Sequence, residues 1–334
     1  MLKIGMIGAG RMGNLHKSKL VTRDDVAITA VCDVIEERAL RMAREVGGKP
    51  YYDYREMLDK EELDVVYINT PTITHPEMTK EVTKRKKHLF LEKPLALDLK
   101  VAYEMKKQIE EAGIICTVGH MYRYRETVQQ MLKLLAGKPI AMLNAYWYWT
   151  IPPVPHIADK DIGGGPVVDQ IVHLIDLCRL VAGEVDTVKA SYTLNSRKGE
   201  DFNNWDGYAV NLTFKSGAVA SVTGTLALYK EMGTQTFMDN IVLDVAAKDV
   251  MTRFTPKTLQ VFMPKKVEVI DTPAGDIDHV FIDAVKANDP GMIKCPIGDA
   301  IKTFAVTLAA NYSAQTGQII KMDDFIKERL NMIF

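Results

Sequence analysis

Six residues near the start constrain the chain more than any others: Gly8-Ala9-Gly10-Arg11-Met12-Gly13. The apolar run 3–7 precedes them, and residues 14–21, with apolar positions at helical spacing, follow. Three glycines at this spacing between a strand and a helix serve one geometry. Gly8 permits a tight turn, Gly10 opens the backbone to close approach, and Gly13 lets the helix pack directly on the strand. The N–H groups of the helix's first turn have no partner within the helix, and together they favour an anion.

The alternation continues. Residues 27–32, 65–69, 88–91 and 114–118 read as short strands, with amphipathic helices at 35–46, 76–86 and 100–111 between them. Strands apolar throughout and separated by helices predict a parallel sheet covered on both faces, with its ligand at the strands' carboxyl ends. A glycine turn at the head of such a unit predicts a doubly wound Rossmann domain. A dinucleotide is expected across it, on Gly8, Gly10, Arg11, Met12 and Gly13. Asp33 ends the second strand at the distance where a carboxylate bonds ribose hydroxyls, which favours NAD; Arg11 and Arg38 leave NADP admissible. Asp33-x-x-Glu36 also reads as a capping box for the next helix, and Thr74-x-x-Glu77 as another cap. Asn69-Thr70-Pro71, where the strand 65–69 ends, is either a backbone contact for the cofactor or a plain turn.

After about Tyr124 the rhythm changes. A helix at 127–135 leads to a strand at 141–149, a Pro- and Gly-rich loop at 151–166 and a long helix at 167–181. Strands then dominate, at 187–194, 208–214, 218–226, 241–246, 258–262 and 267–270, many joined by short turns, and helices at 279–286 and 298–316 close the chain. The expected fold is α/β plus α+β. A Rossmann domain over 1–121 precedes a largely antiparallel open sheet covered by helices over 122–334, a substrate-binding and oligomerisation domain.

Composition narrows the function. A formal net charge of −1 suggests no polyanionic partner, and the basic run 84–88 ends a helix, where cations suit the dipole; no nucleic acid is expected. Cys32, Cys116, Cys178 and Cys295 lie far apart, so neither a metal site nor a disulfide framework is indicated, and a reducing compartment, the cytoplasm, is expected. The glycines interrupt the apolar N-terminus too early for a signal peptide, and no apolar run is long enough to cross a membrane.

Two places carry candidate chemistry. Glu92-Lys93-Pro94 follows the strand 88–91, putting Lys93 at the carboxyl edge of the sheet, where an ammonium can stabilise an alkoxide or pass on a proton. Asp169 and His173, spaced i, i+4 on the predicted helix with Asp176 three residues further, share one face, so a carboxylate can fix the histidine's tautomer. A helix-surface ion pair or a bonded core histidine is the competing account.

Taken together, the motifs resemble the Gfo/Idh/MocA oxidoreductases. The resemblance is carried by GAGRMG at 8–13, Asp33, NTPTITH at 69–75, EKP at 92–94, GHMYRY at 119–124, GGGPVVDQIVHLID at 163–176 and the ending 298–320. It implies that Lys93, Asp169 and His173 meet over the nicotinamide. His173 would be general acid/base on a substrate hydroxyl, Lys93 would stabilise the same oxygen, and Asp169 would orient or bind the substrate. It extends the cofactor contacts to Asn69, Thr70, Pro71, His75, Glu92 and Lys93, and implies a sugar, inositol or related polyol as substrate, no metal, and a homo-oligomer paired through the open sheet. Tyr122 and His156 join Lys93, Asp169 and His173 as candidate substrate contacts, while Arg123 reads equally as a structural clamp. Ile171 stands where many members have glycine, which either narrows the pocket or repacks the helix. Tyr146 and Tyr148 face one side of their strand, Trp147 and Trp149 the other; either pair suits a sugar ring or ordinary packing. The rival functions are an NAD-dependent glycosidase acting by transient oxidation and a non-catalytic dinucleotide-binding regulator.

Overall fold

A computed structural model describes residues 1–151, 155–229, 240–271 and 275–331, with side chains throughout except at 155 and 156. The chain divides into two compact units, Met1–Gly119 with Asp276–Ile301, and His120–Gly275 with Lys302–Phe334.

In the first unit the elements run β1 (Leu2–Ile7), α1 (Arg11–Leu20), β2 (Val26–Cys32), α2 (Glu36–Val46), β3 (Lys49–Tyr51), α3 (Tyr54–Lys60), β4 (Val65–Ile68), α4 (His75–Lys84), β5 (His88–Leu91), α5 (Leu99–Ala112) and β6 (Cys116–Val118). The strands pair in parallel in the order β3-β2-β1-β4-β5-β6. Every residue of β4 is buried, as strands covered on both faces require. Strand order reverses between β1 and β4, and ligands of such sheets lie at the carboxyl ends beside that reversal. Sequence patterning missed β3 and α3. β3 is a three-residue edge strand containing Pro50, which lacks the N–H that an inner strand needs. α3 starts on Asp53, whose side chain accepts the Arg55 N–H at 2.7 Å.

The second unit contains α6 (Glu126–Leu135), β7 (Ile140–Tyr148), α7 (Pro155–Ala158), α8 (Lys160–Gly163), α9 (Pro166–Asp169), α10 (Val172–Ala182), β8 (Val185–Thr193), β9 (Gly207–Phe214), β10 (Val219–Thr225), β11 (Ile241–Ala247), β12 (Val250–Phe254), β13 (Thr258–Met263) and β14 (Lys266–Asp271). The chain then runs through α11 (Ile277–Ala287), α12 (Ile297–Thr316), β15 (Ile320–Lys321) and α13 (Met322–Asn331). Among the described residues the second sheet has the order β14-β13-β12-β11-β7-β10-β9-β8-β15, antiparallel but for the parallel pair β7–β10. Alternation sorts its faces: Leu143, Ala145 and Trp147 of β7 are buried, while Met142, Asn144 and Tyr148 are exposed.

Two features differ from the sequence reading. Residues 276–301, assigned there to the second domain, belong to the first unit, because α11 docks on α1: Arg23 bonds Asp283 at 2.7 Å and Asp278 bonds His16. The helix expected over 167–181 is broken. α9 stops at Asp169, and the Ile171 N–H donates to the Pro166 carbonyl five residues back at 3.1 Å, a widened turn that ends the α-helical register. α10 restarts at Val172, so Asp169 and His173 do not share a face of one continuous helix. Ile171 is fully buried in this break and belongs to the core.

Candidate active site

The glycine turn has the shape its spacing predicts. Gly8 has φ +95°, and a Cβ there would lie 2.6 Å from the Asn69 carbonyl oxygen. A Cβ on Gly13 would lie 2.1 Å from the Gly8 carbonyl oxygen, so helix and turn are as close as backbone allows. Gly10 differs: a Cβ there meets nothing within 4 Å. The space over Gly10 is open, and α1 begins behind it with no side-chain cap and no acidic residue in its first turn. Asn14 ties down the turn's carbonyls, donating to Ala9 O at 3.0 Å and Gly10 O at 2.8 Å. An uncapped helix N-terminus under open space suits a pyrophosphate. Arg11 is exposed at the first helical position, and Met12 is half-buried beside it.

Asp33, 9% exposed, reaches back to this turn: one oxygen accepts the Ala9 N–H at 2.8 Å, the other the Ile35 N–H at 2.8 Å. The expected capping box is absent, because α2 starts at Glu36 with Ile35 at its N-cap. Each carboxylate oxygen keeps a lone pair, which is what a ribose hydroxyl needs. Thr74 does occupy the N-cap of α4 but does not cap it; its hydroxyl donates instead to Pro71 O at 2.8 Å. Asn69 follows β4, with Thr70 half-buried and Pro71 exposed beyond it. Both polar side-chain atoms of Asn69 are buried without a hydrogen-bond partner in the protein. Such atoms normally find one, so Asn69 fits a group supplied from outside the chain. His75 is fully buried, its Nε2–H donating to Thr70 O at 2.9 Å. Burial lowers its pKa and keeps the ring neutral, and it braces the turn from behind.

At the end of β5, Glu92 is buried and does not open toward the sheet edge. Its Oε2 accepts the Lys93 N–H at 3.0 Å and its Oε1 accepts His16 Nε2–H at 2.9 Å. His16 Nδ1–H donates in turn to Asp278 Oδ1 at 2.7 Å. Burial alone would lower the His16 pKa, but the bonds and charges of Asp278 and Glu92 outweigh it and raise it to about 10. Glu92 is correspondingly lowered: burial opposes ionisation, and His16 and Lys93 overcome it. Lys93 itself is half-buried. Sequence reasoning did not single out His16, although it falls with Gly13 and Leu20 on the buried face of α1, where a histidine needs a partner. Asp278 is 262 residues away in sequence and gave no local signal.

In the second unit His173 is 4% exposed, its ring near-parallel to Trp147 at 6.1 Å and flanked by Tyr122 at 5.4 Å and His120 at 5.7 Å. The tryptophan side of β7 therefore packs on α10, whereas Tyr146 and Tyr148 stack at 4.9 Å on the open face. Tyr122 is a buried wall of this cage, and burial pushes its phenol pKa up. Asp169 is 8% exposed at the end of α9. Asp176 is a clamp: its carboxylate accepts Arg123 Nε at 2.7 Å, Arg123 Nη2 at 2.6 Å and the Thr303 hydroxyl at 2.7 Å. Its burial resists charge, but His120 and Arg123 hold it well below the usual carboxylate range. Arg123 is thus a structural residue. The side chain of His156 lies outside the described residues.

Residues 2–120 match an oxidoreductase family with an NAD-binding Rossmann fold, and residues 129–240 match the Gfo/Idh/MocA C-terminal domain. The chain belongs to the Gfo/Idh/MocA family. Its members are NAD-binding oxidoreductases, and the glycine turn, Asp33 and Asn69 of this chain fit that cofactor. Among Gfo/Idh/MocA relatives, a myo-inositol 2-dehydrogenase of Thermotoga maritima is 27% identical over 348 residues, spanning 97% of this chain and 100% of its own. A scyllo-inositol 2-dehydrogenase (NAD+) of Bacillus subtilis is 31% identical over 229 residues, 66% of each chain. An oxidoreductase from Agrobacterium radiobacter, solved in complex with NAD+, L-tartaric acid and magnesium, shares the fold with a TM-score of 0.84 at 20% identity, over 97% of this chain and 99% of that one. No described helix is long and apolar enough to cross a membrane.

Proposed function

We propose that this protein is an NAD-dependent dehydrogenase of inositols or closely related polyols, oxidising a secondary alcohol or reducing the matching ketone. The observation that carries the reading is the uncapped helix N-terminus beneath the open space at Gly10, set where strand order reverses. The names of the two inositol dehydrogenases above support the substrate class.

NAD, when bound, supplies the two-electron acceptor. The chain's own residues do the rest. Gly8, Gly10 and Gly13 with the first turn of α1 receive the pyrophosphate, and Asp33 accepts from the ribose hydroxyls. That carboxylate would meet a 2′-phosphate with like charge, so NAD is favoured over NADP. We assign catalysis to Lys93, Asp169 and His173. His173 takes the proton of the reacting hydroxyl, and its ring is already held by Trp147, Tyr122 and His120. Lys93 donates to the same oxygen and stabilises its developing charge. Asp169 accepts from a neighbouring hydroxyl and fixes the substrate's orientation. A second copy of the chain covers the open face of the second sheet around Met142, Tyr148 and Val219, all exposed here.

The test is turnover with NAD and with NADP on a panel of inositols, sugars and glycosides, following reduced nicotinamide and product together. Reduced cofactor with an inositol supports the assignment. Glycoside cleavage without net reduction replaces it with a hydrolase.

A further inference from the structure

We propose that His16 is a positioning residue for the Glu92–Lys93 edge of the first unit. Its imidazolium is gripped at both ends, by Glu92 at 2.9 Å and Asp278 at 2.7 Å, and all three side chains are buried. The inference rests on the reading that Lys93 acts on the substrate.

Three observations support a role beyond cohesion. First, a buried ion cluster is an inefficient stabiliser, since well-packed apolar residues of similar volume often do as well, so stability alone does not account for it. Second, α1 and the turn after it are joined to α11 without it: Arg23 bonds Asp283 at 2.7 Å, Lys19 lies 3.5 Å from Asp276 at the N-cap of α11, and the Thr22 hydroxyl meets His279 Nε2 at 3.2 Å. What His16 adds is reach from α1 to β5. Third, Glu92 passes the constraint on. One oxygen holds His16, and the other accepts the N–H of Lys93 at 3.0 Å, which fixes the peptide plane leading into Lys93. Gly119 lies against the same carboxylate: a Cβ there would lie 3.0 Å from both Glu92 oxygens, so a side chain at 119 would crowd Glu92 in its present place. The ring of His16 is further confined by Phe90 at 4.5 Å and Tyr67 at 5.5 Å. The helix that opens at the glycine turn is thereby tied to the backbone of Lys93 through two side chains.

The test is hydrogen exchange by mass spectrometry on the full chain, comparing wild type, His16→Leu and Asp278→Asn, with NAD affinity measured alongside. In His16→Leu, Glu92 loses its imidazole partner. Exchange in peptides covering 92–96 is expected to rise about tenfold or more while peptides covering β1, β2 and β4 keep their protection, the pattern of a local opening. Asp278→Asn retains an acceptor for His16 and should move 92–96 far less. Unchanged exchange at 92–96 overturns the proposal, and so does a uniform rise across the unit, which would make His16 merely structural. If His16→Leu does not fold, His16→Gln carries the same comparison. Exchange needs no substrate, so failure of the inositol panel would count against the proposed reaction and leave this result standing. If turnover is found, kcat should fall in His16→Leu with KM for the alcohol little changed.

Discussion

Asp33 accepts the Ala9 N–H at 2.8 Å, so a carboxylate at the end of one strand holds the glycine turn at the end of its neighbour. Asp33 thus shapes the turn, and in the proposed function it also meets the ribose. Asp33→Ala removes both. NAD affinity should weaken about 10–100-fold, the range for losing a hydrogen bond to a charged group. The NAD-to-NADP preference should narrow, because the negative charge opposing a 2′-phosphate is gone. Fluorescence titration with both dinucleotides checks this.

Gly10 and Gly13 look alike in the sequence but should fail differently. A Cβ on Gly13 runs into the Gly8 carbonyl at 2.1 Å, so Gly13→Ala should destabilise the first unit by about 1–3 kcal/mol. A Cβ on Gly10 meets no protein atom within 4 Å. Gly10→Ala should therefore keep the wild-type melting temperature within experimental scatter and lose dinucleotide affinity. Thermal melts and NAD titrations of the two variants test the contrast.

The His16 pKa, raised from 6.5 to about 10, makes stability depend on pH. A pKa raised on folding favours the native state below the unfolded value, and that contribution drains away as pH rises through the folded value. The groups facing His16 are Glu92 at the end of β5, Asp278 on α11 and Tyr67 on β4. The stability difference between wild type and His16→Gln should be largest near pH 6 and shrink toward pH 10. Urea midpoints of both proteins across that range decide it.

Asp176 is 2% exposed and holds the buried guanidinium of Arg123. Asp176→Ala removes the two-point carboxylate partner of Arg123 and the acceptor of the Thr303 hydroxyl, and should cost about 3–5 kcal/mol, the penalty for removing one partner of a buried pair. Denaturant unfolding of the second unit reports it.

Most of the architecture was legible because its signals are local. Continuous apolar strands alternating with amphipathic helices identified the parallel sheet, and the second sheet's alternating strands were largely placed. β12 was missed because it is only five residues long and follows β11 after Lys248 and Asp249, with no glycine or proline to mark the turn. The break between α9 and α10 was invisible because apolar spacing persists through Gln170 and Ile171 while the backbone hydrogen bonds shift by one residue. The glycine turn and Asp33 are contiguous motifs and could be read directly. The His16–Glu92–Asp278 cluster could not, because its members come from α1, the end of β5 and α11 and meet only in the folded chain. Glu92 entered as a cofactor contact only through the family resemblance, and no local signal announced the bond its carboxylate makes to His16.

The central claim is that this NAD-binding oxidoreductase moves its proton through His173. The most direct measurement sets wild type beside His173→Ala, recording NAD affinity and steady-state turnover of the best inositol substrate. The account predicts unchanged NAD affinity and a kcat lower by about 10²–10⁴-fold, the contribution of a positioned general acid/base. Wild-type turnover in His173→Ala would contradict it.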